Sequence, residues 1–319
     1  MPLLIGVAAL FALIFAIDLR GFGAAIRGFR LAAIPAVLAL SVLYYMLQGV
    51  RWHFLLRAVG VREPMGHSVL LNYAGQSTGL LPLGELSRAV LVAESTGVEF
   101  GAIVATVTVQ ELIYTLILIA AAVPGSFAYH GSAGAVLAAL LATVLVFVIL
   151  TVPAVFRRVR AGVVRTPLLR RLVADVDRLQ HDTVVLLRRP DTYWWSTLSA
   201  FGALVSITLF WLVVDSIAPG VLSWKTAAFV YAVSHVVGAI SLIPGGLGAY
   251  EASTVGLLVA SGVDGGISAA AALLHRAADK GVNTLIGMAA YLIARRRLKL
   301  GGLRTVHFGT VGLPAAGEG

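Results

Sequence analysis

Two polar, glycine-rich interruptions in apolar sequence carry the residues of this chain best suited to chemistry. The first runs Leu80-Leu81-Pro82-Leu83-Gly84-Glu85 and continues to Arg88. The second runs Leu242-Ile243-Pro244-Gly245-Gly246-Leu247-Gly248-Ala249-Tyr250-Glu251. Non-helical backbone is tolerated at membrane depth only where protein or a water-filled cavity covers it. Paired interruptions in matching positions of two halves point to a transporter's binding site. Gly245, Gly246 and Gly248 let backbone amides turn inward at the start of the next helix, where free N–H groups and the positive helix end attract a phosphate. Glu85 and Glu251 have two readings: they hold a basic or hydroxyl-rich group, or they cap those same amides. The Gly246-Leu247-Gly248 run is not a dinucleotide fingerprint, because no strand precedes it.

Other charges sit inside apolar stretches, where each is costly and by default functional. His275, Arg276, Asp279, Lys280 and Asn283 form one stripe at helical spacing. Arg276 and Asp279 read either as substrate-binding residues or as an internal pair that only staples helices together. Gln110, Glu111 and Tyr114 hold the corresponding place in the first half. Glu111 reads as a cavity residue or as one that faces water near a span's end, and His235 reads first as a packing residue. Seven scattered His and no Cys provide neither a disulfide framework nor metal-ligand spacing, and no cofactor is expected.

These residues need helices to position them, and the composition says which kind. Of 319 residues, 59% are apolar and 12% charged, with a mean hydropathy of +0.93. Soluble domains carry about twice that charge, so the chain reads as an all-α, polytopic membrane protein. About six apolar stretches qualify as spans of roughly 20 residues: 2–17, read as a retained first helix, then 31–50, 101–123, 133–155, 192–216 and 266–294. The stretches 68–95 and 222–263 read as two re-entrant helix pairs; the alternative for the second is two full spans at 222–243 and 244–263.

Charge sets the orientation. Between Phe156 and Pro190 nine Arg oppose three Asp, and Arg295, Arg296, Arg297, Lys299 and Arg304 follow the last span. Beside spans such clusters are the positive-inside signal, which predicts a cytoplasmic central loop and C-terminus in the cell membrane. They also attract anionic inner-leaflet lipids. The same topology puts loop 18–30, with Arg20, Arg27 and Arg30, on the outer side, against the charge rule. An amphipathic helix over 169–187 would lie on the inner leaflet or against the protein's own cytoplasmic ends. The chain divides into one transmembrane domain, 1–300, and a Gly-rich tail, 301–319, expected to be disordered.

An internal repeat is visible. Pro82, Leu83-Gly84, Glu85, Gly97-Val98 and Glu111 recur in order as Pro244, Leu247-Gly248, Glu251, Gly262-Val263 and Arg276. Halves at about 31–155 and 192–296, with three spans between the re-entrant pairs, predict an inverted repeat.

The segments Pro82 to Ala89, Pro244 to Glu251, Leu274-His275-Arg276 through Gly287, and Arg51-Trp52-His53-Phe54-Leu55-Leu56 resemble motifs of the lysylphosphatidylglycerol synthase transmembrane-region family. That flippase-like family is also described as UPF0104. The resemblance covers about residues 1–298 and implies a helical membrane domain that translocates a lipid or lipid-linked headgroup. The implied site combines the amides of Gly245 to Gly248, Arg276 and Arg88 for a phosphate with Glu85 and Glu251 for the rest of the headgroup. Members often carry Glu-Arg where this chain has Gln110-Glu111, so the first-half charge is reversed. No aminoacyl-transferase domain follows the membrane part, so aminoacylation is not expected of this chain. Two other readings remain: a non-transporting membrane partner of a cytoplasmic synthase or glycosyltransferase, docking through loop 157–189, and an enzyme acting on a lipid-linked sugar. The second lacks the clustered aspartates it would need.

Overall fold

The computed structural model describes residues 19–78, 86–127, 132–165, 173–241 and 246–298, and all regular structure among them is helical. Among the described residues, three helices are long and apolar enough to cross a membrane. They contain α2 (Ile34–Ala58, preceded by a short 3-10 turn), α5 (Phe100–Ser126) and α9 (Pro190–Ile217). A fourth crossing arises if α6 (Ser132–Thr151) and α7 (Pro153–Arg165) count as one span, although they meet at 88°. Pro153 at the start of α7 explains that corner, since a proline drives the preceding residue out of the helical region. Of the stretches expected to span, 31–50, 101–123 and 192–216 fall on the long helices and 133–155 on the bent pair. The stretch 266–294 forms two shorter helices, α12 (Gly265–Arg276) and α13 (Val282–Arg297), joined by a π-helical turn at Ala277–Gly281. The stretch 2–17 lies outside the described residues.

The helices flanking the two interruptions are too short to cross alone. α3 (Met65–Gln76) and α4 (Ser87–Thr96) have 12 and 10 residues, about 18 and 15 Å against a hydrocarbon core of ~30 Å. α3 runs back along α2: Ser68 Oγ lies 3.0 Å from His53 Nδ1, the Asn72 amide donates to the Tyr45 carbonyl at 3.1 Å, and the Tyr73 hydroxyl donates to the Val42 carbonyl at 2.6 Å. α4 returns beside it, with Gly75 against the Arg88 backbone. The pair therefore enters from the end where α2 finishes and α5 begins.

α10 (Trp224–Ile240) and α11 (Ala249–Ala260) enter from the other end. Gly125, near the end of α5, faces Lys225 and Phe229 at the start of α10, while Tyr231 meets Tyr114 further in. Gly238 then packs on Tyr250 and Gly246 as the chain turns back. Gly97 (φ 70°) and Gly262 (φ 86°) end α4 and α11 in the left-handed region, where a side chain is strained. The closing helix of each half lies along the first arm of the other: α5 on α10, and α13 on α3. α2 and α9 pack together between them. Leu141, Leu145, Phe201, Leu285 and Leu292 remain exposed on outward faces, as expected of a surface that meets lipid.

The amphipathic segment is α8 (Val173–Arg188), and it takes the second of its two expected placements. Its backbone at Asp175 lies against Gly101 of α5, Leu186 is buried with Ala105 and Val109, and Arg178 reaches Glu99 at 3.1 Å. The exposed basic helix at this end is α7, tied to α8 by Arg160 and Asp177 at 2.6 Å. At the opposite end follows α1 (Leu19–Arg27), and there the Arg30 amide bonds the Ser216 carbonyl while its guanidinium lies 3.9 Å from Asp215.

Close helix approach yields a test. A Cβ on Gly287 would come within 2.5 Å of the Ser77 amide nitrogen, and one on Gly125 would clash with the Lys225 carbonyl, whereas Gly256 has open space. Gly287→Ala and Gly125→Ala should each cost about 1–3 kcal/mol by overpacking. Gly256→Ala should be neutral or stabilise by about 0.5–1 kcal/mol. Thermal unfolding in detergent reads the difference; equal tolerance at all three positions would contradict the packing.

Candidate functional site

At the second interruption Gly248 (φ 81°) leads into α11, and Glu251 sits three residues on. Glu251 Oε2 accepts the Gly248 amide at 2.7 Å, which is the capping expected as one of its two roles. Its other oxygen lies 3.2 Å from Arg276 Nε, with the two side chains only 1% and 13% exposed. The carboxylate paired with Arg276 is thus Glu251, on another helix, and not Asp279 one turn along. Arg276 also lies over the Tyr250 ring at 5.6 Å, and the Tyr250 hydroxyl is 3.1 Å from His275 Nδ1. Gly246 (φ 67°) packs against Gly238. Asp279 stands on the π turn, half-buried, and its backbone carbonyl accepts from Asn283 at 2.7 Å. Such turns recur at functional positions. Gly245 lies outside the described residues.

Glu85 at the first interruption is also outside them, but Arg88 one turn later is fully buried. Its guanidinium reaches Glu111 at 3.1 Å, donates to Asn72 Oδ1 at 2.9 Å and covers the Trp52 ring at 5.0 Å. Glu111 stands in the middle of α5, its side chain 37% exposed. It lines a pocket with Gln48, Arg51, Tyr114 and Ser199 that has room for about one water. The Arg51 guanidinium donates to the Gln110 carbonyl at 2.8 Å. The reversed charge at Glu111 is therefore answered by Arg88. In each case the returning arm is tied to the helix that follows it by an ion pair, Arg-to-Glu from α4 to α5 and Glu-to-Arg from α11 to α12.

A layer of hydroxyls and rings separates the two pairs. The Tyr114 hydroxyl donates to Ser206 at 3.0 Å and lies 3.3 Å from that of Tyr231. Tyr231 packs against His275 at 5.6 Å, and Tyr44 against Tyr114 at 5.7 Å. His235 packs on Tyr114 and Tyr231, at 5.5 and 6.0 Å. Arg88 and Arg276 thus belong to separate pairs, and the site groups Gly248, Glu251 and Arg276 apart from Arg88. Sequence reasoning did not assign Asn72, Trp52 and Gln48 to the site. Trp52 was marked only as part of the Arg51–Leu56 motif, and nothing local pointed to a role for Asn72 or Gln48 at the site.

The pairs differ in burial, which sets their response to neutralisation. Glu251→Gln leaves Arg276 enclosed without its counter-charge and should cost about 3–5 kcal/mol. Glu111→Gln leaves the fully buried Arg88 its bond to Asn72 and lies at a half-exposed position that water reaches, so it should cost less, about 1–3 kcal/mol. Thermal unfolding that ranks Glu111→Gln as the worse change would contradict this geometry.

The model of the family described as lysylphosphatidylglycerol synthase TM region matches residues 3–287. No curated protein matches the chain. Nearly the whole helical body, both interruptions and both ion pairs fall within the matched range, and the chain is an integral membrane protein of the lysylphosphatidylglycerol synthase TM-region family.

Proposed function

We propose that this protein moves a phospholipid or lipid-linked headgroup between leaflets. The observation that carries this reading is the presence of two cross-helix ion pairs of opposite polarity, Arg88–Glu111, whose arginine is fully buried, and Glu251–Arg276, whose carboxylate is fully buried. Apolar packing would join the same helices without the desolvation penalty of charge, so the charges ask for a further role. Re-entrant arms that enter from opposite ends, each gripped by the other half's closing helix, support an inverted repeat of 31–155 and 192–296 within a single domain, 1–300. Alternating access would then be a rocking of one half against the other.

On this reading Glu85, Arg88, Gly245, Gly246, Gly248, Glu251, Arg276 and Asp279 line the path, while the acyl tails stay in the bilayer. A headgroup phosphate replaces Glu111 or Glu251 as the partner of an arginine. That exchange keeps each guanidinium neutralised while its pair opens. Because the two pairs lie in different halves, one opens while the other stays closed. The released carboxylate then faces the hydroxyl or amine of the headgroup. By the positive-inside rule the loop 156–190 and the C-terminus are cytoplasmic in the cell membrane, and α7 meets anionic lipid there. The exposed α7 also favours a second reading, a docking surface for a cytoplasmic synthase or glycosyltransferase.

Reconstituted vesicles separate these readings. The wild type should scramble fluorescent phosphatidylglycerol, whereas Arg276→Ala and Arg88→Gln, selected for normal folding, should lose most of that activity. Unchanged scrambling in both variants would remove the pairs from the path and leave the docking reading ahead.

A further inference from the structure

The seam between α2 and α9 holds two spaces in line. At its basic end a cavity of about 390 Å³ is lined by Phe54, Arg57 and Ala58 of α2 and by Arg189, Asp191 and Trp195 at the start of α9. Deeper along the seam lies the water-sized pocket at Arg51, Glu111 and Ser199. Between them the Phe54 and Trp195 rings stack face to face, 3.4 Å apart and 2° from parallel.

We propose that the outer cavity holds the phosphate-bearing headgroup of a phospholipid in the adjoining leaflet, and that the Phe54–Trp195 stack is the closed door between it and the inner pocket. The door rests on the translocase reading; the headgroup site does not. The volume lies in the range of ligand pockets. The charge suits a phosphate: Arg57 and Arg189 are both exposed, and the single carboxylate, Asp191, meets Arg189 at 3.4 Å. The first turn of α9 adds its positive end, because Arg189 gives no side-chain cap. The surroundings suit a lipid better than a free anion. Tyr193 and Trp194 on the same turn are 55% and 70% exposed, as at a membrane interface. Exposed Phe201 and Leu204 continue along α9 and offer a track for an acyl chain.

The test uses the purified protein in neutral detergent with short-chain phosphatidylglycerol, binding being read by native mass spectrometry. Arg57→Gln and Arg189→Gln should each weaken binding about fivefold, equivalent to ~1 kcal/mol per basic residue near a leaflet. Arg27→Gln, on α1 at the opposite end of the molecule, should leave it unchanged. Equal losses at all three positions, or none at Arg57 and Arg189, would overturn the site; so would equally tight binding of inorganic phosphate. Phe54→Ala and Trp195→Leu should keep binding and speed scrambling several-fold. Slower or unaltered scrambling with binding intact removes the door. A wild type that binds but never scrambles overturns the translocase reading and the door together, and leaves the headgroup site standing.

Discussion

A backbone that breaks its helix in hydrocarbon must be covered, and the architecture follows from that requirement. Both interruptions end arms too short to cross the bilayer. α13 lies along α3 and α5 along α10, which is why Gly287 meets Ser77 at the inner end of α3 and Gly125 meets Lys225 at the outer start of α10 so closely. Charge is used under the same constraint. Glu251 satisfies a helix-start amide and a buried guanidinium at once, and Arg88 divides its donors between Asn72 and Glu111. The tyrosine and histidine layer links Tyr114, Ser206 and Tyr231 by their hydroxyls between the two pairs, and the pocket beside Tyr114 admits about one water.

The same economy suggests how the site works. Each arginine already has a carboxylate, so a phosphate can be accepted by exchange instead of by burying new charge. The lining of the α2–α9 seam then reads as a graded path, from exposed guanidiniums at the basic end, past a stacked aromatic pair, to the half-exposed Glu111.

Much of this was legible in the sequence. Pro-Gly runs beside short apolar stretches marked the two places where helices too short to cross alone meet. Arg276 and Arg88 stood out because charge in an apolar segment is rare. Their partners were not legible: Glu111 lies 23 residues from Arg88, on another helix, and only packing decides which carboxylate a guanidinium meets. Helical periodicity found α8 but not its cover, since an apolar face suits a leaflet or a protein equally; Gly101, which lets α8 approach α5, was the unread signal. The π turn that divides the last stretch leaves no mark in hydropathy. Pro153 did carry the corner after α6, within a stretch read as continuous.

The central claim is that the two arms enter from opposite sides, and accessibility tests it most directly. Single cysteines at Gly66 and Gly265, both exposed and both with open space for a side chain, report the mouths of the two re-entrant pairs in this cysteine-free chain. With an impermeant thiol reagent added outside intact cells, position 265 should label and position 66 should label only after the membrane is opened. Labelling of both positions from the same side would contradict the account.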